Sequence, residues 1–326
     1  MTNRSSLGID KALTRFATLS RNPMEAYAWN KVFPVIPVSG RTGKFYSFSN
    51  GFRRAAIDLK RGSGSAFKRF TTDVSLTDAY TLEESGAEFP VDDVDAQFAS
   101  DDSVSLREAA AALATAELMI DLEREMAGFM VAGTITQNET LAAGSRWDDS
   151  GVDPRDDIRE WSQTIQKSHG IPRSQLTLLI NRETADVLVS NEALMQFFRS
   201  QVPGITSMTQ EQLAQSLRIK NVVISDAVGN TAVEGATATN NYVFGKSAVL
   251  YYQEMDPVPM TPRGFGFTFQ ARQRMRPDGR GGAVSGAFAI ERYREEPRSE
   301  VVLASVLQDM AVTNATAAYL GLTVIN

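Results

Sequence analysis

Apolar residues in the middle of the chain recur with the spacing of one helix face and predict a long helix over residues 103–130. Leu106, Leu113 and further apolar residues repeat at near-helical intervals through an alanine-rich run. Ser105 and Glu108 stand three apart at its start, a capping box in which each side chain satisfies a free backbone amide. At 1.5 Å per residue this helix would be about 42 Å long. Because that is long for a globular domain, the pattern predicts a spine along the molecule.

The pattern changes in residues 155–260, where short apolar runs alternate with amphipathic segments and predict a compact α+β domain. Asp153 and Pro154 have the residue types that begin a helix, and Gly170 is suited to end it. Short helices are expected after three residues suited to cap them, Asn181, Asn191 and Thr209. Strands are predicted at residues 176–180, 222–224, 242–244 and 249–252.

Strand-like alternation dominates residues 261–326. Phenylalanines alternate with small or polar residues over residues 265–269, as expected of a strand with one apolar face. A second alternating run begins at Phe288, and a continuous apolar run covers residues 301–307. The end of the chain is therefore predicted to be rich in strands.

The first 82 residues predict extended segments that do not form a core of their own. Residues 1–40 form an arm, because Pro34 and Pro37 exclude a helix and favour an extended path. Residues 41–82 hold two strand-like runs around the glycine- and serine-rich residues 61–65, which predicts a long two-stranded ribbon. Strands of about 20 residues reach on the order of 60 Å. A lone hairpin of that length is marginally stable, so we expect it to lie on a neighbouring subunit.

Charge is divided into blocks along this part of the chain. Residues 41–82 contain eight Lys and Arg against three Asp, a net charge of +5, and residues 83–102 contain eight Asp and Glu with no Lys or Arg, a net charge of −8. Opposite blocks on one chain can pair between copies, whereas single surface charges are usually just solvated. The division into blocks favours assembly over the simpler interpretation of two solvated faces. The candidate contacts are Arg53, Arg54, Arg61 and Arg69 in the ribbon, facing Glu83, Glu84, Asp92 or Asp93 of another copy.

Composition excludes several kinds of chemistry. A net charge of −6 and a pI near 5.1 argue against a protein that coats nucleic acid with a basic surface, but they allow a shell that encloses DNA. The chain has no Cys and one His, so zinc and thiolate chemistry have almost no ligands. That histidine, His169, lies where a helix is predicted to end and fits a cation at a helix C-terminus. No apolar stretch suits a signal peptide or a membrane span.

The order of these segments resembles that of the Hong Kong 97-type major capsid proteins of tailed bacteriophages. Local sequence is also similar, around Trp161 between Asp153 and Pro172, and in the stretch from Gly245 to Tyr252. The resemblance implies an α+β capsid fold with an N-terminal arm, an extended β-hairpin loop, a peripheral domain with a long spine helix, and an axial domain. The implied divisions are the arm at 1–40, the extended loop at 41–82, the peripheral domain at 83–154 with its spine helix at 103–130, the axial domain at 155–260, and a return to the peripheral strands at 261–326.

The resemblance implies a coat protein rather than an enzyme. Its copies would form the hexamers and pentamers of an icosahedral shell that encloses DNA without sequence-specific binding, and no cofactor or membrane is expected. No charged helical segment precedes the arm in this sequence, so we expect a separate scaffolding protein, together with a portal, and assembly in the host cytoplasm.

Two other interpretations stay open at this point. Residues 263–267 match the first five positions of an aromatic RNA-binding motif, in which the exposed rings of Phe265 and Phe267 would stack on bases. Two later positions, Thr268 and Gln270, do not match that motif. The order of the flanking elements also differs from that of the small RNA-binding domain. A hydrolase built on Asp148 and Asp149 is a weaker alternative, because adjacent carboxylates rarely converge on one substrate.

Overall fold

The computed structural model describes residues 24–45, 47–48, 60–61, 63, 67, 74–75, 78–101, 106–131, 133–199, 208–230, 237, 239–254, 264–274, 284–285, 288–295 and 299–326. The helices are α1 (Trp29–Val32), α2 (Asp93–Asp101), α3 (Leu106–Val131), α4 (Pro154–His169), α5 (Arg182–Ser190), α6 (Glu192–Arg199) and α7 (Gln210–Ser216). The first strands are β1 (Val35–Val38), β2 (Thr42–Lys44), β3 (Ser47–Phe48), β4 (Val74–Ser75), β5 (Ala79–Thr81), β6 (Glu83–Asp92), β7 (Asn138–Thr140), β8 (Leu176–Asn181) and β9 (Asn221–Ser225). The remaining strands are β10 (Val228–Asn230), β11 (Asn240–Tyr242), β12 (Ala248–Tyr252), β13 (Gly266–Ala271), β14 (Gln273–Arg274), β15 (Val284–Ser285), β16 (Phe288–Glu295), β17 (Ser299–Val312) and β18 (Ala318–Leu322). Short 3-10 helices lie at Met24–Ala26, Arg173–Gln175 and Ala315–Ala317.

Helix α3 agrees with the predicted spine at both ends to within a few residues. It runs for 26 residues. Ser105 lies outside the described residues, and so does the capping box that was expected there. The middle of the helix is buried on most sides, including Leu118, Ile120 and Leu122. Burial is this complete because the same apolar cluster contains residues of α3, of the sheet that carries β17 and of the sheet that carries β8.

The first sheet packs against α3 and has the order β1-β13-β17-β16. The long strand β17 is its centre, because β16 and β6 both pair with its first half and β13 pairs with its second half. Residues 83–102 were recognised from the sequence only as an acidic block, and no strand or helix was predicted there. Residues 83–92 form a ten-residue strand and residues 93–101 form α2. The proline of β6, Pro90, is tolerated because within the described residues β6 pairs only with β17, so it lies at an edge.

The described part of the N-terminal arm, residues 24–40, belongs to the subunit's own core, although the sequence predicted no core for this part of the chain. Trp29 and Phe33 are buried in the cluster around α3, and β1 pairs in parallel with β13. The carboxylate of Glu123, on α3, is fully buried and accepts hydrogen bonds from the amides of Ala28 and Trp29, both at 2.9 Å. It also accepts one at 2.6 Å from Ser225 at the end of β9. One side chain thus joins the arm, the spine and the second sheet.

The second sheet has the order β7-β18-β12-β8-β9 and is covered on its other face by α4 to α7. The predicted helix signals are confirmed: Asp153 caps α4, Gly170 ends it with a φ of 75°, and Asn181 caps α5. Asn191 accepts from the first amides of α6, and Thr209 forms a complete capping box on α7. All six residues of β8 are buried, as expected of a strand covered on both faces.

The end of the chain corrects the expected division at residues 261–326. Strand β18 pairs with β12 and β7 in the second sheet, and does not return to the first sheet with β13, β16 and β17. Strand β7, from the segment assigned to the peripheral domain, lies in the second sheet too. The reason is packing, since the β18 residue Tyr319 stacks on Trp161 of α4 with ring centroids 5.3 Å apart.

Candidate assembly interface

The base of the predicted ribbon is an antiparallel hairpin fixed to the first sheet. Strand β2 pairs with β5, and β3 pairs with β4. The ring of Tyr80 stacks on Phe269 of β13 at 4.6 Å, and Phe45 stacks on the same ring at 5.3 Å. The Thr81 amide donates to Asp309 of β17 at 2.8 Å. These contacts fix the direction in which the ribbon leaves the subunit.

Further along the ribbon, the structure describes only isolated residues. Arg61 lies over the ring of Phe67, 4.9 Å from its centroid. Phe67 is 71% exposed. The other three candidate arginines, Arg53, Arg54 and Arg69, lie outside the described residues.

The candidate acidic residues divide between the two faces of β6. Glu84 and Asp92 lie on its outward face together with Glu88, and all three are exposed. Their four-residue spacing places neighbouring carboxylates about 13 Å apart along the strand. Asp92 also accepts a hydrogen bond at 2.7 Å from the amide of Val94 near the start of α2. We call Glu84, Glu88 and Asp92 the acidic row.

Glu83 lies on the opposite face of β6, toward α3, and Asp93 begins α2. Glu83 contributes to a second group of acids with Glu125 and Asp121 of α3 and Asp309 of β17. Desolvation, then the like charges of Asp309, Asp121 and Glu83, raise the pKa of Glu125 to about 7. Burial also raises the pKa of Asp309, against the hydrogen bond from Thr81 and together with the charge of Glu83. Glu83 and Glu84 therefore lie on opposite faces of β6.

A family model described as phage major capsid protein E matches residues 109–258, which include most of the spine helix and much of the second sheet. No curated protein matches the chain significantly.

Solved structures match nearly the whole chain. A phage-related protein from Bordetella bronchiseptica is 21% identical, with 96% of this chain and 97% of that one covered and a TM-score of 0.66. The capsid of the cyanophage P-SCSP1u is 11% identical, with coverage of 92% and 89% and a TM-score of 0.59. The mature capsid of bacteriophage PhiM1 is 12% identical, with coverage of 94% and 90% and a TM-score of 0.53. The chain has the Hong Kong 97-type fold of these capsids.

The RNA-binding alternative is wrong. Phe265 is 1% exposed and Phe267 is 0% exposed. Phe265 packs against Phe33 with centroids 6.0 Å apart, and Phe267 belongs to the cluster at the root of the ribbon. Both faces of β13 are covered, so neither ring offers a surface on which a base could stack.

The other residues considered for chemistry have local roles. His169 ends α4, and its Nε2 lies 2.5 Å from the Thr316 hydroxyl. Asp149 accepts from the amides of Gly144 and Arg146, and Asp148 accepts from Asn326. The described residues hold no group of three or more acids and histidines arranged for a metal ion. None of the described helices is both long and apolar enough to cross a bilayer.

Four acids of these two groups are missing from the sequence-based candidates: Glu88, Asp121, Glu125 and Asp309. Glu88 shares the face of Glu84 through the two-residue period of a strand, a signal that becomes visible only once residues 83–92 are recognised as a strand. Gly86 and Pro90 obscured it, because both residues are typical of loops. Asp121, Glu125 and Asp309 carry no local signal, since they come near Glu83 only through the packing of α3 on the first sheet.

Proposed function

We propose that the chain is the major capsid protein of a phage and that each copy lays its ribbon on the acidic row of another copy. The observation that carries the proposal is the exposed row Glu84, Glu88 and Asp92 on a chain whose own ribbon has a net charge of +5. Charges of opposite sign at fixed positions steer and orient two surfaces even where each pair contributes little. The stacking of Phe45 and Tyr80 on Phe269 supports the proposal, because it holds the base of the ribbon in one direction. A ribbon whose direction is already fixed loses less conformational entropy when it docks.

Closed symmetry would turn these contacts into a shell. Each copy would donate one ribbon and receive another, which is a head-to-tail contact. Such contacts close into a ring when the rotation between neighbouring copies divides a full turn evenly. Many weak contacts then stabilise the same particle. We further propose hexamers and pentamers of an icosahedral shell, enclosed DNA, a portal, a separate scaffolding protein and assembly in the host cytoplasm. A role without catalysis is part of the same proposal.

Charge exchange tests the docking. Reversal of the ribbon charges in R53E/R54E, or of the row in E84K/E88K, is expected to abolish shells in negative-stain electron micrographs while the subunit stays folded by circular dichroism. The two double variants mixed together should recover mixed rings, because opposite charges face each other again. The matched control is E117K/D186K, which reverses two exposed acids away from the row. Normal shells from either double variant alone would contradict the docking.

A further inference from the structure

Two groups of charged side chains lie at opposite ends of the strands of the second sheet, and the proposed docking uses neither group. Arg218 and Lys220 are exposed and stand immediately before β9. The Lys220 amide donates to the Leu176 carbonyl at 2.8 Å, which places both cations where the parallel strands β8 and β9 begin. We call Arg218 and Lys220 the basic end of the sheet.

A surface cavity of about 410 Å³ lies at the other end of the same strands. Its Trp147 amide donates to the Val324 carbonyl at 2.8 Å, just beyond the end of β18. Because β18 and β8 are both antiparallel to β12, β18 ends where β8 ends. The side chain of Asn191, before α6, donates to the carbonyls of Trp147 and Val152 at 3.3 and 3.2 Å and holds α6 there. The six residues of β8 therefore separate the cavity from the basic end by on the order of 20 Å.

The cavity is acidic and has an apolar wall. Its lining includes Asp148, Asp149 and Glu192 but no Lys or Arg, and the half-buried side chains of Val152 and Val187 form part of the wall. The hydrogen bonds that the three carboxylates accept come from neutral amides. None of the three forms an ion pair with another described residue. The cavity therefore suits a cation on an apolar stem, such as an arginine side chain.

The local fold does not account for the arginine at position 218. Arg218 follows α7 with a φ of 53°, in the left-handed region where glycine is favoured, and its amide donates to the Gln215 carbonyl at 3.0 Å. Glycine would adopt this conformation without strain. The Arg218 side chain is exposed and forms no ion pair within the described part of the chain. A contact outside the subunit would explain why a charged side chain stands there.

We propose that Arg218 of one copy enters the acidic cavity of a second copy, with Lys220 beside it. The guanidinium contacts the carboxylates of the cavity, and its methylene stem lies along the apolar wall. Because the two surfaces lie at opposite ends of one sheet, every copy gives one Arg218 and receives another, which joins copies head to tail. The contact rests on the proposed function only in requiring that copies assemble, and it uses none of the residues of the ribbon or the acidic row.

Charge exchange within one chain tests the contact. E192K and R218E are each expected to weaken association of the full-length chain at least about tenfold in sedimentation velocity. E192K/R218E in one chain should restore association, because every contact then holds the reversed pair. The matched control is E183K, which reverses an exposed acid in the first turn of α5, outside the cavity lining, and should associate like wild type. No recovery in the double variant, or equal weakening by E183K, would overturn the contact.

R218G separates the contact from the fold of the subunit. Glycine is favoured at this backbone conformation, so the unfolding free energy in urea should be at least that of wild type, while association falls as it does in R218E. Wild-type association of R218G would overturn the contact.

Cross-linking distinguishes this contact from the ribbon docking. The chain has no cysteine, so E192C/K220C carries only two thiols, at opposite ends of the sheet. Bismaleimidoethane is shorter than the strand between them and should link copies into a ladder of multimers on denaturing gels, whereas each single variant gives nothing larger than a dimer. A missing ladder contradicts this contact, and shells in the same sample leave the docking intact. A ladder without shells contradicts only the proposed docking.

Discussion

Buried carboxylates decide much of what happens at the scale of single residues. Burial raises the pKa of Glu123, and the hydrogen bonds from Ser225, Trp29 and Ala28 oppose that rise. The carboxylate supplies acceptors to buried donors that would otherwise be unpaired. A buried donor without an acceptor lowers the free energy of unfolding. Glu123 stands three residues after Ile120 and three before Met126, so its spacing places it on the apolar face of the helix, but the sequence does not show which donors it binds. Its role is therefore visible only in the folded chain.

Glu125 should make the stability of the subunit depend on pH. Its pKa is raised from 4.5 to about 7, so the folded chain holds this proton more tightly than the unfolded chain does. The stabilising contribution is complete below pH 4.5 and is lost as the pH rises through about 7. We expect E125Q to lose less of its unfolding free energy than wild type between pH 5 and pH 8, measured by urea titration of the unassembled chain. E117Q, at an exposed position of the same helix, should keep the wild-type difference, and an unchanged pH dependence in E125Q would refute the assignment.

At the scale of elements, the ribbon depends on a close approach at its root. A Cβ on Gly43 would collide with the ring of Tyr80, and that ring is stacked on Phe269. We expect G43A to displace Tyr80 and so to loosen the neighbouring hydrogen bond from the Thr81 amide to Asp309. The Thr81 amide hydrogen should then exchange with solvent at least about tenfold faster, because local opening becomes easier. G128A is the control, because a Cβ there meets nothing within 4 Å. Unchanged exchange at Thr81 in G43A would show that the root does not depend on this contact.

Elements with strong local signals were predicted from the sequence, and those defined by partners were not. The periodicity of residues 103–130 and the caps at Asp153, Asn181 and Thr209 act through neighbours in the chain, so they could be recognised without the fold. Strand β6 could not be recognised, because its ladder with β17 links residues more than 200 positions apart. The burial of β13 on both faces likewise depends on residues from the arm and the ribbon.

At the scale of the whole molecule, strands near both ends of the described chain pair within the two large sheets. Local sequence does not indicate which sheet each of these strands joins. Strand β18 lies between β7 and β12, and a Cβ on its Gly321 would collide with the ring of Trp161. We expect G321V to lower the unfolding free energy by about 1–3 kcal/mol through overpacking, with a changed tryptophan fluorescence. G245V is the matched control, since a Cβ at Gly245 meets nothing within 4 Å. Equal stability of the two variants would contradict the placement of β18 against α4.

The sequence by itself determined the long helix, the capped helices of the α+β part, the base of the basic ribbon and the separation of charge between residues 41–82 and 83–102. These features depend on periodicity, capping and composition, which neighbouring residues supply. Only the tertiary structure decided that residues 24–38 and β18 complete the subunit's own sheets, that Phe265 and Phe267 are buried, and that Glu83 and Glu84 face opposite ways. Each of these depends on contacts between distant parts of the chain, because burial and register are properties of a partner surface as much as of the residue itself.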